Sequence, residues 1–418
     1  MIANSNNFRP LRVLLSEGNS TSAREAVTAL GLAGHHVEIC DPARFCLARF
    51  SRFVARAHRC PPMRDDPVGF LHFVEDLLAR QRFDVLLPIH EQGFLFAKVQ
   101  GRLAARTGIA LPDFANYRTL HSKASFSRVL AELGLPQPET RIVSSVQALR
   151  AAAHYPCVVK TAIGTASRGV WMVSDEAGLE RAVSEIDAAG GLAGEILVQA
   201  WIAGATEKAQ AVFCRGELLG FHAYRQIAEG AGGGDAIKRS VRRDQVRADL
   251  AAIGRHLDWH GALSIDFIMT EQGGPFYIDA NPRLVEPMAA YLAGVDLVDL
   301  LLKVSLGETP LAVPDGCADV TTHQAMQALL GTALRGGTRR DLFRTCRDLI
   351  RRRGAYAGSV EELTPLKFDR LSAVPLAMTA LLLLLSPELA QPLSTRGWGA
   401  HLLDSNSIRT IDRDIAPA

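Results

Sequence analysis

The chain has 418 residues, of which 48% are hydrophobic and 22% are charged, and its formal net charge is +2. This length is too great for one ordinary core and predicts about two to four domains, while the near-neutral charge gives no electrostatic reason to expect nucleic acid as a ligand. The seven cysteines have no CxxC spacing, which argues against a zinc site and favours a reducing compartment. The start, MIANSNNFRPLRVLL, has no secretory-signal pattern, so we expect a cytoplasmic protein.

The first elements predict a βαβ unit. The apolar stretch LRVLLSEG is a strand, a helix over Ala23–Gly34 follows with Ser20 or Ser22 as its cap, and HHVEICD is the next strand. This order implies a right-handed crossover and a parallel sheet. SEGNSTS lacks the GxGxxG spacing of dinucleotide-binding loops, which favours a structural unit. A later strand, FDVLLPIHE, ends in His90 and Glu91 at the carboxyl edge, where such sheets bind ligands; solvated loop residues are the alternative.

Two lysines and a glycine loop follow. Lys123 lies in a predicted helix over Ser122–Leu133, and the connector GLPQPET leads to a hairpin whose strands flank Gly164 and Gly169. Lys160 lies in the apolar strand CVVKT, where an ammonium needs a fixed anion. The glycines allow backbone N–H groups to approach phosphates. Each feature alone has an ordinary interpretation, a turn or a surface lysine.

The next strands predict two further hairpins. One turns at Arg215–Gly216 and contains FHAYRQ, from which we expect Tyr224 and Arg225 to face a cleft. Arg225 or Arg239 is a candidate for binding a substrate carboxylate, with a solvated arginine as the alternative. The glycine-rich segment 228–236 predicts a mobile loop that acts as a lid.

The last hairpin, GALSIDFIM and PFYIDA joined by TEQGG, concentrates acidic residues. If Thr270 pairs with Pro275, Asp266 stands opposite Asp279, and two facing carboxylates repel unless a cation lies between them. Asn281, two positions on, adds a neutral oxygen, and Arg283 then faces an anion. Hard oxygen ligands of this kind are what Mg²⁺ takes in nucleotide sites. A surface hairpin with scattered acids is the alternative.

The character of the chain changes after Pro314, where helical patterning replaces strand signals. One helix is expected to bury an apolar face and to carry arginines off it; that face comprises Leu342, Phe343, Cys346, Leu349 and Ile350. The apolar run in LSAVPLAMTALLLLLSPELAQPL is shorter than the roughly 20 residues that span a bilayer. We favour a core helix, with a membrane-surface element as the alternative.

The order of these motifs resembles the ATP-grasp superfamily, which includes biotin carboxylase, carbamoyl phosphate synthase and amino-acid ligases. The resemblance runs from about Leu11 to Pro310, and its specific part is IDF followed by IDANPR. It implies an α/β and α+β architecture: a Rossmann-like pre-ATP-grasp domain over residues 1–112, a linker helix and small lobe over 113–200, a C-terminal lobe with the metal site over 201–314, and a mainly helical region over 315–418.

The resemblance also implies a function, an ATP-dependent ligase that activates a carboxylate as an acyl phosphate and couples it to an amine, with Mg²⁺ or Mn²⁺. The implied metal ligands are Asp266, Asp279 and Asn281. The implied nucleotide contacts are Lys123, Lys160, Gly164, Gly169, Gln199, Trp201, Ile202 and, weakly, Glu207. Arg283 and Lys160 are the implied catalytic residues, and the substrate candidates are Glu91, Tyr224, Arg225, Arg239 and Glu286. The family more often has Glu at position 279, which puts bridging of two metal ions in doubt.

Other functions stay open at this point. Carboxylation through carboxyphosphate, as in biotin carboxylase, would need the same cleft and would depend on bicarbonate. A non-catalytic nucleotide-binding or membrane-surface adaptor would use the basic and apolar C-terminal helices in a peripheral membrane contact. The expected partners are a small carboxylate and an amine, without nucleic acid, and a homodimer is common in the family.

Overall fold

The computed structural model describes residues 9–164, 169–188, 190–191, 194–396 and 399–417, without the side chains of residues 395–396. The described strands are β1 (Arg12–Leu15), β2 (His36–Asp41), β3 (Val54–Arg59), β4 (Val85–Leu87), β5 (Thr140–Val143), β6 (Cys157–Thr161), β7 (Val170–Val173), β8 (Ile196–Ala200), β9 (Ala205–Cys214), β10 (Glu217–Glu229), β11 (Asp235–Val241), β12 (Gly261–Met269), β13 (Pro275–Asn281), β14 (Thr321–His323) and β15 (Val360–Glu361). The described helices are α1 (Thr21–Leu32), α2 (Pro67–Arg80), α3 (Gln92–Lys98), α4 (Gln100–Ala104), α5 (Phe114–His121), α6 (Lys123–Glu132), α7 (Val146–Ala152), α8 (Glu176–Ala188), α9 (Asp244–His256), α10 (Pro287–Leu292), α11 (Leu297–Ser305), α12 (Ala325–Leu334), α13 (Arg339–Arg351), α14 (Ala373–Leu385), α15 (Ala390–Arg396) and α16 (Ser405–Asp414).

The N-terminal part is a parallel sheet in the order β3-β2-β1-β4. Ser20 caps α1, because its side chain accepts a hydrogen bond from the amide of Ala23. The strands read as apolar runs because helices cover the sheet, and their side chains Val13, Leu15 and Ile39 are fully buried. The predicted βαβ start is therefore confirmed.

Two further sheets follow; the smaller is antiparallel, and the larger is antiparallel except for the parallel pairing of β14 with β15. The smaller has the order β5-β8-β6-β7 and packs its apolar face against α7 and α8, with Leu149, Leu179 and Ile186 in the shared core. The larger has the order β13-β12-β9-β10-β11-β14-β15, and α9 packs against it through Val246 and Leu250. The predicted α/β and α+β architecture is confirmed.

The region after Pro314 is joined to the larger sheet. Its short strands β14 and β15 extend the sheet beyond β11, although the sequence has few strand signals there. Helices α12, α13 and α14 form a separate core with Leu329, Leu342 and Leu383. In the described residues, no helix is long and apolar enough to cross a membrane.

The expected burial of the C-terminal helices needs two corrections. Phe343 and Ile350 do not share the buried face of α13: they are 64% and 83% exposed, whereas Leu342 is buried and Cys346 and Leu349 pack against the core. The α14 segment is also not a fully buried core helix, because one of its faces packs and the other is exposed. The apolar face of α13 is therefore narrower than its sequence predicts, and the nearly all-apolar α14 has a packed partner on one side only.

Candidate active site

A cavity of about 1030 Å³ is lined by both of these sheets, by connecting segments of the N-terminal part and by the C-terminal helices. Most of the site residues predicted from the sequence line it: Lys123, Lys160, Gln199, Trp201, Ile202, Asp266, Asp279, Asn281, Arg283 and Glu286. They come from different elements that are far apart in sequence. The fold therefore brings the lysines, the carboxylates and the arginine to one place.

The acidic hairpin has the predicted pair but not the predicted turn. Met269, not Thr270, pairs with Pro275, so the register at the turn is displaced by one residue. A β-bulge at Ile278, which has no partner on β12, corrects the displacement, and Asp266 stands opposite Asp279 as predicted. The bulge also turns the carbonyl of Ile278 towards β6, where it accepts a hydrogen bond of 2.9 Å from Lys160 Nζ.

Both lysines are buried beside these carboxylates. Lys123 is the first residue of α6, and its Nζ lies 2.8 and 2.9 Å from the two carboxylate oxygens of Asp279 and 2.8 Å from the carbonyl oxygen of Gly164. Lys160 is a buried residue of β6, and burial lowers its pKa to about 8 although the charge of Asp279 opposes the change. Two cations therefore face the same small acidic region, a pattern suited to a polyanion.

The oxygens of Asp266, Asp279 and Asn281 fit a hard divalent cation. Burial raises the pKa of Asp266 to about 6, and the nearby charge of Asp279 acts in the same direction while Lys208 opposes it. A cation placed between the two carboxylates would relieve that repulsion. Two carboxylates and one amide supply part of an octahedral shell and leave positions for water and phosphate oxygens, as Mg²⁺ requires.

Arg283 is held by its backbone while part of its side chain lacks a partner. Its amide donates to the carbonyl of Asn281 at 2.7 Å, and its carbonyl accepts from Ser264 Oγ at 2.7 Å. Its buried Nε has no hydrogen-bond partner among the described residues. A buried, unpaired guanidinium N–H is costly, and an anionic group in the cavity would satisfy it.

Glu286 belongs to a buried cluster that the sequence analysis did not find. Its carboxylate contacts Lys238 Nζ and accepts hydrogen bonds from Tyr224 Oη at 3.1 Å and Gln324 Nε2 at 3.3 Å. Lys238 also lies 2.7 Å from Glu362. Burial raises the pKa of Glu286 and of Glu362, and Lys238 opposes both changes. Strands from the larger sheet and a segment after β15 thus share one ionic cluster.

Three predicted site residues lie on the other face of the larger sheet. The expectation that Tyr224 and Arg225 both face the cleft is wrong, because neighbouring residues of a strand point in opposite directions. Arg225 forms an ion pair of 2.7 Å with buried Glu207, which also pairs with Arg243 at 2.7 Å, so neither Arg225 nor Glu207 lines the cavity. Arg239 is exposed, and its Nε lies 3.3 Å from Thr321 Oγ1.

The neighbouring lysines take the places expected for those residues. Lys208 follows Glu207 in β9, pairs with Asp266 across the sheet, and forms an ion pair of 2.6 Å with Asp235. Lys238 precedes Arg239 in β11 and points inwards. For Lys208, the strand alternation and the pairing of β9 with β12 supply the signal, since the residue opposite Asp266 shares its face.

Two further predictions concern the residues that follow β4 and the glycine loop that follows β6. Glu91 is buried and accepts a hydrogen bond from the amide of Leu403, and it does not line the cavity, whereas His90 does. The carbonyl of Gly164 binds Lys123, and Gly169 has a φ of +75° that suits glycine. The loop tip, residues 165–168, lies outside the described residues.

Three of the implied nucleotide-contact residues lie at the end of β8 and just after it, at one end of the cavity. Gln199, Trp201 and Ile202 line it together with apolar side chains from facing strands, including Val158 and Ile268. The Gln199 amide donates to Thr140 Oγ1 at 3.0 Å, which fixes its orientation. Flat apolar walls of this kind suit an aromatic ring with polar groups at its edge.

The glycine-rich segment is held more firmly than predicted. β10 and β11 extend into it, and the amide of Ala231 donates to Gln327 Oε1 of α12 at 2.9 Å. Residues 231–234 line the cavity, as do residues 19–22 at the start of α1. The C-terminal region therefore supports the loop that was expected to be mobile.

Comparison with known proteins identifies the family of this central region. Residues 120–287 match the family model of the ATP-grasp domain. An uncharacterised protein of Sinorhizobium fredii is 30% identical over 236 residues, which cover 51% of this chain and 47% of that protein. The carbamoyl phosphate synthase large chain of Streptomyces avermitilis is 28% identical over 208 residues, which cover 45% of this chain and 18% of that protein. The chain thus spans about half of the first relative and less than a fifth of the second.

Solved structures show the same fold at low sequence identity. The ADP complex of an N5-carboxyaminoimidazole ribonucleotide synthetase has a TM-score of 0.61 and 14% identity, covering 83% of this chain and 88% of that one. The biotin carboxylase domain of a Hydrogenobacter thermophilus 2-oxoglutarate carboxylase has 0.59 and 17%, covering 75% and 74%. The L-amino acid ligase of Bacillus licheniformis has 0.56 and 16%, covering 73% and 76%. The family model thus identifies residues 120–287 as an ATP-grasp domain, and the chain shares its fold with these structures over about three quarters of its length or more.

Proposed function

We propose that the protein is an ATP-dependent ligase that activates a carboxylate as an acyl phosphate and joins it to an amine, releasing ADP and phosphate. The observation that carries this proposal is the single cavity in which paired carboxylates, two lysines and an arginine with an unpaired buried N–H face each other. Phosphoryl transfer to a carboxylate needs these groups, because it brings several negative charges together. The four domain ranges predicted from the sequence stay a prediction.

The residues that line the cavity would bind different parts of ATP and its metal ion. Lys123 and Lys160 would bind the phosphates of ATP, and the slot at Gln199, Trp201 and Ile202 would receive its base. Asp266, Asp279 and Asn281 would hold Mg²⁺ or Mn²⁺. The metal would neutralise phosphate charge as the γ-phosphoryl group moves to the substrate. Lys123 would exchange its present contact with Asp279 for phosphate oxygens.

Arg283 and Glu286 would serve the two halves of the ligation. The guanidinium of Arg283 would hold the substrate carboxylate and then the acyl phosphate, which satisfies its unpaired Nε. The amine attacks the acyl carbon, phosphate leaves, and the amine loses a proton. Glu286 is the member of the buried cluster that lines the cavity, and its raised pKa suits a group that accepts this proton.

Carboxylation through carboxyphosphate would use the same residues, because bicarbonate is a carboxylate-like anion that Arg283 could hold. The cavity of about 1030 Å³ has to hold ATP and an acceptor in either reaction, so its volume does not decide between the two. Release of ADP that depends on bicarbonate alone would select this alternative.

The test is ADP release by the full chain with MgATP and separate pools of amino acids, other small carboxylates, bicarbonate and amines. We expect release that depends on an acid pool and an amine pool, and its loss in Asp279→Asn. Glu271→Gln is the matched control, because Glu271 lies in the exposed turn of the same hairpin. Equal turnover in both variants would contradict the proposed roles of the hairpin carboxylates.

We further propose that the C-terminal helices contact an anionic membrane surface. Five apolar side chains at heptad-like spacing form an exposed stripe on and before α14: Leu371, Val374, Met378, Leu381 and Leu385. The adjacent α13 exposes Phe343 and Ile350 among several arginines, so apolar and basic groups occur together.

Flotation with vesicles tests this contact. The full chain should float with vesicles that contain phosphatidylserine and not with phosphatidylcholine vesicles alone. The double variant Leu381→Glu, Leu385→Glu should lose this binding, whereas Leu311→Glu, at an exposed residue outside the stripe, should keep it. A second copy of the chain is the other occupant, and a dimer in light scattering that the double variant abolishes would replace the membrane proposal.

A further inference from the structure

The cavity has a second set of walls that the ionic chemistry does not use. Apolar side chains enter it from the N-terminal region and from the region after Pro314: Phe45, Leu47, Phe50, Met326, Leu330, Leu334, Leu363, Pro375 and Leu393. None of these positions belongs to the ATP-grasp motifs. Phe45 is 68% exposed, so a large aromatic side chain stands at the cavity without a protein partner that covers it.

Helix α12 shows that this lining is not a requirement of the fold. Met326, Leu330 and Leu334 recur every four residues and line the cavity; Leu330 is also buried in the core with Leu329 and Ala333, whereas Met326 and Leu334 are not members of that core. A helix with one packed face is stable with polar residues opposite. Its apolar cavity face therefore calls for another explanation, and a bound apolar group supplies one.

The apolar walls are fixed in place and belong to the same cavity as the ionic groups. Gly331 of α12 packs so closely on Gly230 that an added Cβ would lie 2.8 Å from backbone atoms. Gln327 binds the amide of Ala231 at 2.9 Å, and residues 231–234 lie in the cavity wall. The volume of about 1030 Å³ is at the upper end of the roughly 300–1,000 Å³ of small-molecule sites, which leaves room for more than a nucleotide.

We propose that one of the two substrates of the ligase carries an apolar chain or ring, and that these walls bind it. The inference rests on the proposed function for the identity of the reacting groups. The reactive end, a carboxylate or an amine, would lie at Arg283 or Glu286, and the apolar part would extend between Phe45 and α12. Binding would release ordered water from both surfaces, and each fully buried methylene would tighten it by about fourfold.

Equilibrium binding tests the inference without turnover. Dansyl-labelled undecanoic acid is titrated into the full chain with MgADP present, and unlabelled butanoate, octanoate and dodecanoate compete, followed by the matching alkylamines. We expect affinity to rise with chain length in one series, which identifies the acid or the amine as the apolar substrate. Equal competition by short and long chains in both series would overturn the inference.

Variants on opposite walls locate the binding. Met326→Trp fills the space beside α12 and Phe45→Asp makes the facing wall polar, and each should weaken dodecyl binding by about tenfold or more. Met378→Trp is the control, because Met378 lies on the exposed face of α14. Weakening by Met378→Trp alone would place the probe on the outer surface and overturn the inference.

Separate titration of MgADP distinguishes this inference from the proposed function. All three variants should bind MgADP as the unmodified chain does. If MgADP does not bind, the proposed function fails, yet chain-length-dependent binding of the probe that Met326→Trp weakens still supports the apolar site. If MgADP binds and ADP release is fastest with short polar acids and amines, the ligase stands and the apolar site is wrong.

Discussion

The hairpin β12–β13 and the region after Pro314 line the same cavity with different kinds of residue. The hairpin supplies Asp266, Asp279 and Asn281, whereas the C-terminal region supplies apolar side chains such as Met326 and Leu393. A carboxylate in an apolar strand demands a partner, so the local sequence reveals it. An apolar residue in a helix can pack equally well against a core, a membrane or a substrate. The chemistry of the site is therefore visible in the sequence, and its proposed selectivity is not.

The two regions are connected by the buried cluster around Lys238. This lysine contacts Glu286, which follows the hairpin, and Glu362, which follows β15. Gln324 donates to Glu286 at 3.3 Å and to Glu25 of α1 at 2.9 Å, so the cluster also reaches the N-terminal sheet. Buried hydrogen bonds and ion pairs of this cluster therefore link the hairpin, the region after Pro314 and helix α1.

Removal of Lys238 should have the largest effect on stability. Lys238→Met leaves Glu286 and Glu362 buried without a cation, and breaking a buried pair costs about 3–5 kcal/mol. Because burial raises the pKa of both acids, they accept protons more readily at low pH, and the loss should be smaller at acid than at alkaline pH. Thermal unfolding across pH measures both effects.

The matched control is Lys303→Met, because Lys303 pairs with Asp299 at 2.7 Å on the half-exposed surface of α11. Exposed pairs of this kind contribute about 0–1 kcal/mol. Equal unfolding temperatures of the two variants would show that the cluster does not link the β12–β13 hairpin to the region after Pro314.

Substitution of a hairpin carboxylate should have the largest effect on the rate of ADP release. Asp266→Asn removes one of the facing carboxylates, and the loss of a positioned electrostatic group lowers kcat by about 10²–10³-fold. The near-identical shape of Asn should leave the fold intact, because β12 keeps its backbone pairing. Steady-state ADP release and the metal dependence of that release measure the change. Turnover within about twofold of the unmodified chain would remove Asp266 from the metal site.

Much of the fold and of the hairpin chemistry follows from the sequence. The βαβ start, the glycine hairpin and the Asp266–Asp279 pair are local patterns, because strand alternation and turn residues act within a few positions. The turn register was nevertheless displaced by one residue, and the bulge at Ile278 restored the pair. A bulge depends on tertiary contacts, here the hydrogen bond from Lys160 to the Ile278 carbonyl. The local sequence pattern therefore does not predict it.

The wrong predictions concern which face of a strand or helix enters the site, because that depends on the elements packed against it. Glu207, Arg225 and Arg239 are candidates by residue type, but none of them lines the cavity, and on β9 the neighbouring Lys208 does so instead. The pairs Lys238–Glu362 and Asp41–His401 join residues that are more than a hundred positions apart, so spacing carries no signal for them. The faces of α13 and α14 were equally ambiguous, since an apolar residue fits either environment.

The segment that ends the chain should respond to pH. His401 Nε2 lies 3.1 Å from Asp41 and 3.7 Å from Glu17, and its Nδ1 lies 3.1 Å from Gln92 Nε2. Burial opposes the charged form, but the hydrogen bond with Asp41 and the charge of Glu17 raise the pKa of His401. Its contribution is complete below the ordinary value of about 6.5 and is lost as pH rises through the raised value.

Hydrogen exchange of residues 399–417 measures this attachment. Protection should fall with rising pH by at most the contribution of one charge-assisted bond, about 1.5–3 kcal/mol, after correction for intrinsic exchange. His401→Gln should show weaker protection without that pH dependence. The same pH dependence in the variant would assign the effect to other groups near the segment, such as His90.

The pH dependence of ADP binding through Lys160 is the smallest expected effect. It distinguishes the contribution of the ionic groups from that of the apolar wall at α12. Its ammonium has a pKa of about 8 because burial opposes the charge, so a growing fraction is neutral as pH rises above that value. Binding of ADP phosphates to Lys160 then requires uptake of a proton, and affinity should fall by up to about tenfold per pH unit above about pH 8. Lys160→Arg keeps its charge throughout this range and should flatten the profile. Met326→Trp should retain the slope of the unmodified chain, because α12 supplies no charge to the phosphates. A profile that is flat in the unmodified chain would show that Lys160 serves the Ile278 carbonyl alone, and nucleotide binding would then depend on Lys123.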